Sequence, residues 1–450
     1  MIVSLFILAL IVSGVLAFFK YYEREKPQIS FHGDIAAFGL SKEVKFTVSD
    51  SRSGISLVEI VLLQGNKIAK VYGKEFSRLG FFEHNGPKKL EETVTFEVGA
   101  LGFTDGKAEL QVTVRDFSFW NLMAGNETVV TYPVTMDTHP PKITILHSTR
   151  YVSPGGSGMV VYKISDTIET HGLTVNGHFN PGFPISDEED SRYVAFFGLQ
   201  YDTEKIDKAV INATDPAGNT GSAAFGMILK KQKLKQDQIN ISDNFINLKI
   251  PEFSQEYPQL TGSLVDQFVY MNSLVRKENY QAIVQATSNP SPLRLWHGQF
   301  ARMARSSRMA AFAEHRTYFY NGKEIDKQVH LGVDLASTKR AEIHAANRGN
   351  VVFAEYLGIY GNTIILDHGQ GIFSLYSHLS EIGVAVDELK EKGTVIGLSG
   401  ATGMAGGDHL HFSILVNGLF VNPVEWWDKQ WLQLNIDDIL YGSKPNYKKF

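Results

Sequence analysis

Polar and apolar residues alternate with period two in short runs along the first half of the chain, at 43–48, 57–63, 109–114 and 160–164, with Gly, Asp, Asn and Ser clusters between them. Such runs predict half-buried strands, and residues 28 to about 230 read as β structure throughout. The period changes further on. Leu264, Val265, Phe268, Met271, Asn272 and Val275 follow one another at three- and four-residue steps, which predicts an amphipathic helix. Alternation returns over 409–414, where Leu410 and Phe412 face a core and His409 and His411 share the opposite side. Residues 2–19 are apolar all round, broken only by Ser4, Ser13 and Gly14, with Lys20 next.

As a helix, that last run is about 27 Å long, close to the hydrocarbon thickness of a bilayer. It lacks a basic segment before it, and Val15-Leu16-Ala17 is a poor cleavage site, so it fits an uncleaved anchor better than a removed signal peptide. The expectation is a single-pass protein of the cell membrane, the inner membrane in a two-membrane cell, with the bulk of the chain periplasmic or extracytoplasmic.

Asp137-Thr138-His139-Pro140-Pro141 marks a boundary, because consecutive prolines cannot donate to a ladder. The chain repeats on either side of it. Phe46-Thr47-Val48-Ser49-Asp50 corresponds to Tyr162-Lys163-Ile164-Ser165-Asp166, and Val112-Thr113-Val114-Arg115-Asp116 to Ile211-Asn212-Ala213-Thr214-Asp215. The second copy continues as Pro216-Ala217-Gly218-Asn219, an ending that resembles extracellular immunoglobulin-like modules of bacteria. Two β-sandwiches of about 100 residues fit the length. Such modules would serve either as a spacer or as binding modules.

The 450 residues contain no Cys, so no disulfide framework exists and folding rests on burial. A formal net charge of −5 gives no reason to expect nucleic acid as a partner, and no polycationic grip on anionic wall polymer. Without Cys, any metal site must be built from His and carboxylates. Among 14 His, a chance His-x-His is expected roughly 0.4 times, so the pair at His409 and His411 means little alone. In extended chain, however, His409 and His411 converge, as do His330 and Asp334.

Taken jointly, the strings HLGVDLA, YGNTIILDHGQGIFSLYSHLS, KGTVIGLSGATGMAGGDHLHFSILVNG and NPVEW make the segment from about 311 to 427 resemble the lysostaphin-type (LytM) zinc metallopeptidases of bacterial cell walls. The resemblance implies zinc ligands at His330, Asp334 and His411 and catalytic histidines at His378 and His409, whose individual roles stay open. It also implies an antiparallel β-sheet peptidase domain acting on peptidoglycan. His368 is either structural or a substrate contact. Tyr318 and Tyr320 stand near where some members carry an oxyanion-stabilising tyrosine, while His297, His315 and His344 read as structural or solvated. One departure is Ala311-Phe312-Ala313-Glu314-His315-Arg316, where many members have Ser-x-Phe-Gly-x-Arg.

The resulting organisation is mainly β. An anchor or signal occupies 1–26, sandwiches 27–137 and 138–232, a helical connector 233–310, the peptidase domain 311–428 and a tail 429–450. The expected activity is zinc-dependent endopeptidase hydrolysis of stem peptides or cross-bridges; the alternative is a non-enzymatic activator or scaffold of other wall hydrolases. The connector is expected to cover the cleft or brace the domain, and the first of these implies a regulatory protein partner.

Overall fold

The computed structural model describes residues 2–79, 85–185, 192–232 and 235–441, the side chains at 2–4, 17 and 19–21 excepted. Met1 of the expected anchor, Lys233 and Leu234 at the start of the connector, and residues 442–450 of the tail lie outside the described residues. The chain forms two compact units, one made of 1–142, 165–170 and 213–221, the other of 143–164, 171–212 and 222–450. Residues 138–232, one module by sequence, are therefore shared between the units.

The first unit begins with helix α1 (Ile2–Tyr21), whose described side chains are exposed apart from half-buried Ser13. Among the described residues no helix is long and apolar enough to cross a membrane. A three-stranded sheet (Gln28–His32, Lys42–Ser49, Lys89–Phe96) then faces a five-stranded one running Ala37–Phe38, Glu127–Met136, Gly106–Asp116, Ile55–Gln64 and Lys67–Glu75. Their inner faces form one core, with Phe46, Val48 and Phe96 from the first sheet and Ile60, Leu62 and Val112 from the second. Each such side chain contributes about 1.5–3 kcal/mol by leaving water.

In the second unit, the strands Ser157–Ile164 and Arg192–Gly198 pair antiparallel and are buried at nearly every position. Met159, Val161, Val194 and Phe196 join the same core as the C-terminal sheet. These strands are apolar on both faces and so need cover on both.

The connector opens with a strand rather than a helix. Strand β1 (Gln236–Ile241) alternates polar and apolar residues over its last four positions only, a short signal the helical reading of 233–310 passed over. Helix α2 (Asp243–Glu256) follows, capped by Ser242, whose hydroxyl accepts the Phe245 amide at 3.3 Å. Helix α3 (Leu264–Tyr270) carries a Ser263–Asp266 capping box and runs through one wide turn, Met271–Val275, into α4 (Arg276–Ala286). Phe268, Met271, Asn272 and Val275 are buried, so the predicted apolar face is the packed one.

Besides a small sheet of Glu342–His344, Val395–Leu398 and Glu381–Ile382, the C-terminal strands are β2 (Ser307–Ala310), β3 (Glu314–Tyr320), β4 (Lys323–His330), β5 (Val333–Ala336), β6 (Gly349–Tyr356), β7 (Asn362–Asp367), β8 (Ile372–Leu379), β9 (Leu389–Lys390), β10 (Leu410–Val416) and β11 (Leu419–Val421). The main sheet runs β2-β5-β10-β8-β7-β6-β9, with β11 also on β10; β1, β3 and β4 form a second sheet in which β1 lies parallel to β3. Within the region read as a tail, Lys429–Leu432 and Asp438–Tyr441 are helical, and Leu432, Ile436 and Leu440 join the core.

Candidate metal centre and its groove

Register brings the three side chains expected as ligands together. Asp334 on β5 pairs with His411 on β10, which on its other side pairs with Ser377 on β8, while His330 ends β4. Gly332 lets the turn between β4 and β5 pass under the His411 ring, since a Cβ there would lie 2.5 Å from Cε1 and Nε2. His378 follows Ser377 and would nominally point to the opposite face. Its backbone is left-handed (φ 62°), which breaks the alternation, and its ring lies 5.8 Å from that of His411 and 4.8 Å from that of His409. Such a conformation in a non-glycine residue is costly and concentrates at functional sites.

Three donor atoms meet at one point. His330 Nε2 lies 2.9 Å from Asp334 Oδ1 and 2.9 Å from His411 Nδ1, which is 3.0 Å from the same carboxylate oxygen. Neighbouring carbonyls fix which ring nitrogens carry protons, because a carbonyl can only accept. His330 Nδ1 donates to the Ala311 carbonyl (2.9 Å) and so turns its Nε2 lone pair inward. The Ser413 hydroxyl donates to the Leu331 carbonyl, so it accepts from His411 Nε2 (3.1 Å), and the His411 Nδ1 lone pair also points inward.

Two imidazole lone pairs and a carboxylate oxygen facing one another at about 3 Å need a shared cation. Three ligands at 2.0–2.1 Å from a tetrahedral zinc would sit roughly 3.3 Å apart, so His330, Asp334 and His411 fit that ion. Burial works to raise the Asp334 carboxyl, but the charge and hydrogen bond of His330, helped by His409 and His411, hold it well below the usual range. Burial lowers His411 to about 4, the neutral form a metal ligand requires. Asp334 Oδ2 accepts from Arg316 Nη2 at 3.2 Å, an orienting contact that the sequence reading missed although Arg316 stands in the quoted motif.

His378 and His409 flank this centre. Nδ1 of His378 donates to the Thr402 carbonyl (2.9 Å) and Nδ1 of His409 to the Gly407 carbonyl (2.8 Å), which leaves Nε2 of each free of that proton. Burial, then the neighbouring His409 and His411, push His378 well below its ordinary value. Burial alone would lower His409 too, but Asp334, 3.6 Å from its Nε2, raises it.

The centre opens into a cavity of about 360 Å³. Its wall includes Ile239 and Ile241 of β1, Phe268 of α3, and Asn272 and Arg276 beyond it, so the connector forms part of one wall of the groove. Tyr318 and Tyr360 line it as well. Tyr320 instead donates to Asp243 Oδ1 at 2.6 Å. His368 lies elsewhere, with Nδ1 on the Arg348 carbonyl and Nε2 on Ser374 Oγ, both at 2.7 Å, a structural role. Ala313 has a left-handed backbone (φ 59°), whereas Glu314, at the position where the resembled motif carries glycine, is already in strand β3.

The profile of Peptidase family M23 matches residues 328–423, the segment that carries all five histidine and aspartate positions. The chain is 37% identical over 97 residues to the DD-carboxypeptidase/endopeptidase Mpg of Neisseria meningitidis serogroup B, covering 22% of each protein. It is 34% identical over 96 residues to the peptidoglycan DD-endopeptidase ShyA of Vibrio cholerae, covering 21% of this chain and 22% of ShyA. Over 95 residues it is 33% identical to the murein hydrolase activator EnvC of Escherichia coli, covering 21% of this chain and 23% of EnvC. The match thus spans less than a quarter of each relative's length. Residues 328–423 are a Peptidase family M23 domain of the lysostaphin (LytM) type.

Proposed function

We propose that this chain is a zinc-dependent endopeptidase that cuts peptide bonds in peptidoglycan stem peptides or cross-bridges during cell-wall remodelling. The observation that carries this reading is the convergence of three lone pairs, from His330, Asp334 and His411, beside two further histidines in one groove. Zinc, when bound, supplies a water of lowered pKa and polarises the scissile carbonyl. His378 and His409 each present Nε2 toward the groove, where one takes a proton from water and the other, in its protonated form, steadies charge on the carbonyl oxygen or leaving amine. Arg316 holds the Asp334 carboxylate in place from its far side.

Two relatives named as endopeptidases support the hydrolytic reading, and the murein hydrolase activator supports a second one, in which the domain stimulates another hydrolase. Digestion of purified sacculi by the purified chain, followed by mass analysis of muropeptides, distinguishes them. Cleaved cross-bridges or stems establish the enzyme. Zinc-loaded protein that leaves sacculi intact yet accelerates a second hydrolase establishes the activator.

The apolar run at 2–19 supports placement at the cell membrane, with the remainder extracytoplasmic. Fractionation with membranes is the expected result; a mature chain starting near Phe18 would mark a removed signal. The connector's place in the groove wall, in turn, supports restraint of the groove until a regulatory protein partner shifts it.

A further inference from the structure

The first unit holds another gathering of ligand-type side chains, all of them carboxylates. Glu23, Asp50 and Asp116 are 5%, 7% and 2% exposed, and one carboxylate oxygen from each lies within 4.8 Å of the others. They arrive from three places. Glu23 belongs to the segment after α1, Asp50 follows the strand Lys42–Ser49 of the smaller sheet, and Asp116 ends the strand Gly106–Asp116 of the larger. Three buried carboxylates this close repel one another unless something positive joins them.

The donors that the structure gives them are neutral. Glu23 accepts from the Ser53 amide (2.9 Å) and the Ser51 hydroxyl (3.3 Å), and Asp50 takes the Gly54 and Arg52 amides on Oδ2 (2.7 and 3.2 Å). Asp116 accepts the Ser118 and Asn126 amides on Oδ1 (2.9 and 2.7 Å) and Asn126 Nδ2 on Oδ2 (2.9 Å). Burial, with the charge of Glu23 adding to it, pushes both Asp50 and Asp116 upward. Ser53 is a separate sign of a missing partner. It is 2% exposed, its amide is already on Glu23, and its hydroxyl, within one side chain's reach of that carboxylate, is buried with no hydrogen-bond partner.

The internal repeat supplies the same arrangement again. Asp137, Asp166 and Asp215 form an equivalent group, with Asp166 and Asp215 at the positions that Asp50 and Asp116 hold in the first copy. Asn219 meets Asp215 through its amide and its Nδ2, both at 2.9 Å, as Asn126 meets Asp116. Asn126 Nδ2 also reaches the Glu23 carbonyl (3.1 Å), and Asn219 Nδ2 the Asp137 carbonyl (2.7 Å). The second group is more open, with Asp166 exposed.

We propose that Glu23, Asp50 and Asp116, with the Ser53 hydroxyl, form a calcium site that ties the segment after α1 to both sheets of the first unit. An all-oxygen set excludes a preference for soft metals, and its irregular sources suit the flexible six- to eight-oxygen shell of Ca²⁺ better than the strict octahedron of Mg²⁺. Peptidoglycan hydrolysis plays no part in the assignment.

The test uses the full purified chain, stripped with chelator and titrated with calcium chloride by calorimetry and thermal unfolding. Calcium is expected to bind and to raise the unfolding temperature of the first unit by several degrees, with magnesium at equal concentration markedly weaker. Asp50→Asn and Asp116→Asn should each weaken calcium binding at least tenfold. In chelator, Asp50→Asn, which keeps the oxygen that accepts the Arg52 and Gly54 amides, should unfold at or above the wild-type temperature because one repulsion is gone, a result a misfolded variant would not give. Absence of any calcium response in the wild type, an undiminished response in both variants, or an equal response to magnesium would overturn the assignment.

Discussion

Along Lys42–Ser49 in the first unit, Val44, Phe46 and Val48 are buried while Glu43, Lys45 and Ser49 are exposed, whereas β8 and β10 of the peptidase sheet are buried at every position. The sandwich strand has one dry face, and that face is apolar. The peptidase strands are covered on both faces, and among their buried residues stand Ser374, Ser377, His378, His411 and Ser413. Burying polar groups costs free energy unless each finds a partner. In the sandwich strands the alternation follows from the hydrophobic effect alone. In the peptidase sheet the polar residues are explained only by what they hold.

The sharpest way to break this contrast is to remove its polar members. His330→Ala, Asp334→Ala and His411→Ala are each expected to abolish stoichiometric zinc by elemental analysis, and hydrolysis with it, because a three-ligand site loses a bond in every case. His378→Ala and His409→Ala should keep the metal and lose turnover on the order of a hundredfold. Full metal occupancy in any of the first three, or loss of metal in both of the second pair, would redraw the boundary between ligands and proton carriers.

That boundary was only partly legible in the sequence. The HLGVD and HLH strings gave the convergence of His330, Asp334 and His411, because strand geometry alone makes such spacings converge. His378 was reachable only through resemblance, since its place depends on a left-handed backbone that no spacing rule encodes. The carbonyls of Ala311, Thr402 and Gly407, which set three of the tautomers, carry no sequence signal, because every residue has a carbonyl. In the fold, alternation showed the strands of the first unit. It did not show that 157–164 and 192–198 join the peptidase core, since a strand apolar on both faces does not name what covers it.

The sandwich side of the comparison is sharpened by Phe46, fully buried beside exposed Lys45. Phe46→Ala should cost about 3–5 kcal/mol of first-unit stability by denaturant unfolding, and Lys45→Ala within about 0.5 kcal/mol of nothing. Neither should alter zinc content; a loss of zinc in Phe46→Ala would show that the two regions are coupled.

Phe268 stands between the two kinds of burial, packed with Tyr318 at a ring distance of 5.5 Å while facing the groove. Phe268→Ala loosens the connector without touching a ligand. If the connector restrains access, hydrolysis of purified peptidoglycan should rise several-fold at unchanged zinc content. Unchanged or reduced hydrolysis with a lower unfolding temperature would make the connector a brace.

The smallest effect concerns Glu425, a half-buried carboxyl that accepts the Ser157 amide (2.9 Å) and hydroxyl (3.0 Å) through one oxygen, joining the strand Ser157–Ile164 to the helix Pro423–Trp427. Burial raises it to about 7, against the opposing pull of the Ser157 bonds and of Lys230. An unfolded chain ionises this group near 4.5, so between that pH and about 7 the folded state holds a proton that the unfolded state has released. Stability of the second unit therefore falls as pH rises through that window and levels off above it. After allowance for partial exposure, the loss should be on the order of 1–2 kcal/mol by denaturant unfolding at pH 5 and pH 8. Glu425→Gln keeps an oxygen for Ser157 and has no proton to lose, so its stability should change less across the same interval. An identical slope in wild type and variant would assign the pH dependence to other groups, and would leave Glu425 as an ordinary hydrogen-bond acceptor at the junction.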